Sequence, residues 1–155
     1  MVIDANGWEL WDNQTLTAAE YSHTNGTLID LEENGVTDTM LPIELRLNLQ
    51  VGTAFATLTS GVMIHVITSD SATFASGNIP LVGLGSTTNP LPVASLTAKA
   101  RFSLAFQAFA LKKYLGVYWE PVSEAASAGT LDAWFAPYVL SPCGRTQKMP
   151  SGYTA

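Results

Sequence analysis

Apolar and polar positions alternate in several separate stretches of this chain. The clearest is "IELRLNLQV". Ile43, Leu45, Leu47, Leu49 and Val51 fall on one side, and Glu44, Arg46, Asn48 and Gln50 on the other. A period of two predicts a half-buried strand. "GVMIHVITSD" is almost wholly apolar and predicts a strand covered on both faces. "RFSLAFQA" turns Phe102, Leu104 and Phe106 inward. "YLGVYWEPV" sets Leu115, Val117 and Trp119 against Tyr114 and Tyr118, and "TLDAWFAPYVL" forms the last strand. The segment "AKARFSLAFQAFALKKYL" has helix-forming residues, but its Phe102, Leu104, Phe106 alternation favours a strand.

Turn residues separate these runs. Asn25-Gly26 lies between "EYSH" and "TLIDL" and predicts a tight hairpin. Asn6-Gly7 and Asn34-Gly35 are further turn candidates. "TSDSATFASGN" and "GLGSTTNPLP" read as loops, and "SEAASAG" as a short hairpin end. Pro121 and Pro137 each interrupt a late strand. Proline cannot donate to a ladder, so at least one of these strands is expected at a sheet edge or with a bulge. Many strands with frequent turns and no intervening helices predict an all-β sandwich. With about eight antiparallel strands, a jelly roll or similar Greek-key arrangement is the leading architecture.

The opening "WELWDNQTLT" poses a problem for that pattern. In a regular strand Trp8 and Leu10 share one face, and Glu9 and Trp11 the other. A strand buried on one side hides only one of the two tryptophans.

Length sets the domain count. The chain has 155 residues, 47% of them hydrophobic. A domain of this size can bury roughly 70% of its unfolded surface, so it needs no disulfide staples. Cys143 is the only cysteine, which excludes an internal disulfide and a cysteine-based zinc site. Residues 1–140 read as one sandwich domain with an N-terminal arm. Residues 141–155, punctuated by Pro142, Gly144, Pro150 and Gly152, read as an extended tail. "MVIDANGWEL" has neither a positive start nor a continuous apolar region, so the expectation is a protein made in a cytoplasm. No apolar run approaches the roughly 18–20 residues of a membrane helix.

The net charge is −6 and is unevenly placed. Nine of the 13 acidic residues precede Arg46, and all seven lysines and arginines lie at or after it. This argues against nucleic acid and anionic membranes as partners. The acidic first third either solvates loops or meets a basic protein surface.

Catalytic signals are sparse. His65 sits among Met63 and Ile67 and reads as a packed or rim histidine; His23 reads as a loop residue. There is no Gly-x-Ser-x-Gly elbow, Walker motif, metal-ligand spacing or EF-hand loop. Gly83-Leu84-Gly85 lacks the third glycine and the strand–helix setting of a dinucleotide site. No cofactor is therefore expected, and no enzymatic activity. Aromatic residues are the richer signal: Trp8, Trp11, Trp119 and Trp134, with Tyr114, Tyr118 and Tyr138. Core packing, an interface or a sugar platform could each use them. The last two strands have bulky residues on both faces, Phe135 opposite Trp134 for example, which points to a second, intermolecular layer.

The order of segments resembles a known family. "VIDANGWELWDNQTLT", "SHTNGTLIDL", "PIELRLNLQV", "HVITSDSATFASGNIPLVGLGSTT", "PLPVASLTAKARFSLAF", "KKYLGVYWEPV" and "AGTLDAWFAPYVL" follow one another over about residues 1 to 140. Asp4, Asp12, Gln14, Thr17, Asp30 and Leu31 carry the likeness early. Ser69, Asp70, Phe74, Ile79, Leu96, Arg101 and Phe102 carry it in the middle, and Tyr114-Leu115 and Ala128-Gly129-Thr130 late. Together they resemble the jelly-roll capsid cement, or decoration, proteins of tailed bacteriophages, of the Bordetella-phage type. The tail after Leu140 is longer, and Trp8 and Trp11 bulkier, than that pattern implies.

The resemblance implies a non-enzymatic protein on the exterior of a virion capsid, binding over joints between major capsid proteins. It also implies self-association, as a homodimer or a homotrimer. Candidate contact residues near the start are Trp8, Trp11, Asp12 and Gln14, with one tryptophan in the core and the other covered by a capsid protein or a neighbouring copy. Later candidates are Tyr118, Trp134, Arg145 and Lys148. The alternative reading is a carbohydrate-binding sandwich for host-surface recognition, which needs an exposed aromatic with hydrogen-bonding neighbours in a groove. A hydrolase on a β fold is the third.

Overall fold

Alternation builds the sandwich strand by strand. The structure, a computed structural model, describes residues 8–32, 44–107 and 111–138. Its clearest strand, Glu44–Val51, alternates half-buried and buried along its whole length, with Leu45, Leu47, Leu49 and Val51 inward. Burying each such side chain stabilises the fold by about 1.5–3 kcal/mol. In chain order the strands are β1 (Glu9–Thr15), β2 (Glu20–Tyr21), β3 (Ile29–Asp30), β4 (Glu44–Val51), β5 (Val62–Ser69), β6 (Ile79–Leu84), β7 (Arg101–Gln107), β8 (Tyr114–Pro121) and β9 (Thr130–Tyr138). Helical structure among the described residues is slight. One turn, α1 (Ser22–Asn25), separates β2 from β3, and a 3-10 turn spans Val93–Ser95.

The first sheet has the order β1-β9-β4-β7, and the second β2-β8-β5-β6, with β3 also on β8. Every pairing is antiparallel, and the pairs nest. β5 joins β6, outside them β4 joins β7, then β2 and β3 join β8, and last β1 joins β9. A long folded-over hairpin wrapped into two facing sheets is a jelly roll. The all-β sandwich expected from the sequence is thus observed, with β2 and β3 sharing one strand position. Both terminal arms of that expectation lie outside the described residues.

The inward faces meet in one core. Leu115, Val117 and Trp119 of β8 are fully buried, as expected, opposite Leu131, Ala133 and Phe135 of β9. Phe55 stacks on Trp119 with centroids 4.6 Å apart, and Phe106 meets Phe135 edge-on at 5.8 Å. β7 is a strand with Leu104 and Phe106 buried and Phe102 half-buried, so the alternation outweighed the helix formers around it.

Three local expectations need correction. Asn25-Gly26 does not make a hairpin. β2 and β3 do not pair with each other; both pair with β8, and α1 bridges them. Ser22 Oγ accepts the Val117 N–H at 3.1 Å, replacing the ladder bond that the interruption would otherwise leave open. "SEAASAG" does not close a hairpin either, because it carries the chain from β8 in one sheet to β9 in the other. Pro121 and Pro137 do not lie on edge strands. β8 and β9 are both interior; Pro121 is the last residue of β8, and the described pairing of β1 with β9 stops at Trp134, short of Pro137. The missing N–H falls at the end of β8 and, in β9, past the described pairing with β1. Asn6-Gly7, Asn34-Gly35 and Cys143 lie outside the described residues.

Candidate functional site

Both tryptophans of the opening are buried, Trp8 at 2% exposure and Trp11 at 1%. That corrects the expectation that one of them faces outward. The reason lies in β1's register. It runs from Glu9 to Gln14 while β9 runs only from Trp134 to Leu131, so β1 holds two extra residues. Each extra residue is a bulge, which breaks the strict alternation of faces. Leu10 and Trp11, adjacent in sequence, therefore both turn inward. Asn13, at φ 48°, accommodates the second irregularity. Neither indole ring is offered to another molecule.

The remaining contact candidates do not form one patch. Asp12 is exposed and Gln14 half-buried on β1, at the edge of the first sheet. Trp134 alternates with the buried Ala133 and Phe135, so it points outward from that same sheet. Tyr118 alternates with the buried Val117 and Trp119 and points out of the second sheet, on the opposite side of the sandwich. Arg145 and Lys148 lie outside the described residues.

The second sheet's outer face is covered in part by its own chain. Residues 70–78 fold over it and bring Phe74, 2% exposed, against Gly116. A Cβ at Gly116 would lie 2.6 Å from the Phe74 ring, so glycine is what leaves room for the ring against the strand. Tyr21 stacks on Phe74 at 5.7 Å and lies 4.6 Å from Tyr118. His23 joins this cluster through α1, 5.4 Å from Phe74, and is not an isolated loop residue. The covering loop is tied down by Asn78 Nδ2 donating to the Phe74 carbonyl at 2.7 Å and by Lys112 Nζ donating to the Gly77 carbonyl at 2.9 Å. Here the second layer inferred from bulky outward residues is intramolecular. His65 is half-buried, paired across the sheet with Tyr118 and Gly83, as a rim histidine should be.

Burial, then the nearby Glu120 carboxylate and Tyr21, push the Tyr118 phenol up to about 12. A raised folded-state value means the folded protein keeps the proton where the unfolded chain has lost it. Stability from this group is intact below pH 10.0 and is lost as pH rises toward about 12. Replacing Tyr118 with phenylalanine should flatten the alkaline decline in urea midpoint over that window. An unchanged decline would mean that another group controls it.

The first sheet's outer face has a different character. Register places the exposed Glu9, Trp134, Asn48 and Ser103 in one row across β1, β9, β4 and β7, and Asp132, Gln50 and Arg101 in the next. Trp134, Asn48, Gln50, Arg101 and Ser103 line a groove of about 380 Å³, floored by Leu49 and Phe102. Arg101 Nε donates to Gln50 Oε1 at 2.9 Å, and Ser103 Oγ donates to Asn48 Oδ1 at 3.1 Å. The sequence reading made Trp134 a contact candidate but none of its four polar neighbours, although Arg101 entered the family likeness. Each is an outward residue in an alternating strand, but only the cross-strand register sets them beside the indole.

Among the described residues no three His, Cys, Asp or Glu side chains are placed to hold a metal ion. Nor is any helix there long and apolar enough to cross a membrane. Fold and faces together define a jelly-roll β-sandwich with one self-covered aromatic face and one polar face centred on a tryptophan. No protein-family model and no curated protein sequence matches the chain.

Proposed function

We propose that the chain is a capsid cement protein that binds the exterior of a phage shell and stabilises joints between major capsid proteins. The observation that supports this best is the nested strand order. It is the jelly roll that the sequence resemblance over about residues 1–140 implies. In this reading the shell meets the outward part of β1, where Asp12 is exposed and Gln14 is half-buried. This edge belongs to the acidic third of the chain and suits a basic capsid surface. The first half of the same edge is occupied, since Thr27 N–H donates to the Leu10 carbonyl at 2.9 Å. A homodimer or homotrimer would multiply modest contacts through simultaneous engagement. Binding the assembled shell in preference to its parts shifts the balance toward the shell.

The test is co-sedimentation with mature shells that lack the protein. Saturable, stoichiometric pelleting with a raised shell melting temperature is expected, and Asp12→Lys should weaken it. An absence of binding to a verified cognate shell would overturn the proposal.

A further inference from the structure

We propose that the Trp134 groove binds a carboxylated sugar unit of a glycan. The partly exposed indole supplies an apolar, electron-rich face on which the C–H face of a pyranose ring can stack. At about 380 Å³ the groove falls within the range of small-molecule sites, about 300–1,000 Å³. Its rim is polar and already organised. Arginine Nε can only donate, so its bond to Gln50 fixes that amide with Oε1 toward Arg101 and Nε2 turned away. Ser103 likewise occupies Asn48 Oδ1. Each amide oxygen already accepts one hydrogen bond inside the network, so the groups turned to a ligand with none of their hydrogens spent are the two amide NH2 groups and the terminal nitrogens of Arg101. A donor-rich rim selects an acceptor-rich ligand.

Charge narrows the class further. Arg101 is exposed and, among the described residues, is the only ionisable one lining the groove. Among the described residues no carboxylate lies within ion-pair distance of it. The nearest acid in its row, Asp132, lies beyond Gln50 and accepts the Asn13 N–H on the far side. A sugar carboxylate would take the two terminal nitrogens of Arg101 in the bidentate geometry that guanidinium favours. The neighbouring hydroxyls would meet the amides while the ring lies on Trp134. This assignment is independent of shell binding, which uses Asp12 and Gln14 on β1.

The experiment is calorimetric titration of the full chain with uronate-containing oligosaccharides and with the same oligosaccharides after their carboxyls are reduced to alcohols. The acidic forms should bind, and the reduced forms should bind at least about tenfold more weakly, as expected for loss of a charged hydrogen bond. Arg101→Gln should erase the difference between the two, and Trp134→Ala should abolish binding of both. Arg101 is exposed, so its variant should melt with the wild type and still pellet with shells. No binding of any acidic oligosaccharide, equal binding of acidic and reduced forms, or binding that survives Trp134→Ala would each overturn the proposal.

Discussion

Replacing Trp11 with alanine will lower the stability of the folded chain by about 3–5 kcal/mol, the usual cost of emptying a buried aromatic site. The ring is 1% exposed and belongs to the central core cluster. Urea unfolding should show the midpoint falling sharply with little change in slope. Trp11→Phe should cost much less. It retains most of the ring, and the indole N–H that it removes has no acceptor among the described residues. Its loss therefore leaves nothing unpaired. An outward-facing Trp11 would behave oppositely, with alanine changing stability by within about 0.5 kcal/mol. That result would mean that the bulge does not turn the ring inward.

Gly26→Ala is expected to be nearly as damaging, for a reason unrelated to glycine's conformational freedom. Gly26 has φ −148°, which other residues can adopt. Its problem is proximity. A Cβ there would lie 2.1 Å from the Leu10 carbonyl oxygen, 2.6 Å from Trp11 Cδ1 and 2.8 Å from the Ser22 carbonyl oxygen. Two of those three atoms are backbone and cannot swing aside. Relief requires lifting residues 26–27 off β1, which breaks the Thr27 N–H bond to Leu10. We expect a loss at or above the upper end of the overpacking range, about 1–3 kcal/mol. A variant as stable as the wild type would show that this segment is not docked on β1.

The two substitutions probe one joint. β1 belongs to the first sheet, and the α1 segment that reaches it lies between two strands of the second. Trp11 fills the space beneath that crossing, and Gly26 lets the chain pass over it. Their effects should not add, because residues in contact share the same relaxation. In the double variant the truncated ring frees one of the three contacts of the new methyl group, so the combined loss should fall short of the sum.

Much of this fold could be read directly from local pattern. β4, β5, β7, β8 and β9 each follow from alternation or a continuous apolar run. Side-chain direction in a strand is set by the backbone of the strand itself. The inward sets Leu45, Leu47, Leu49 and Leu115, Val117, Trp119 needed no tertiary information. Turn chemistry was a weaker guide. Asn25-Gly26 and "SEAASAG" have the composition of hairpins, but composition does not say which strand comes to lie beside which. The aromatic residues misled for a similar reason. Phe74 lies in a loop, and nothing local reveals that it will cover Gly116 from 42 positions earlier in the chain.

By itself, then, the sequence determined the all-β class, the strands and which face of each regular strand turns inward, because these depend on contacts a few residues apart. Tertiary structure decided the rest. The extra residue between Glu9 and Trp11 exists only relative to β9, and it is what turns Trp11 inward beside Leu10. The groove beside Trp134 exists only because β4 and β7 align Asn48, Gln50, Ser103 and Arg101 across from it. Register is a relation between distant segments, fixed by the joint packing of two sheets, and no single stretch of chain contains it.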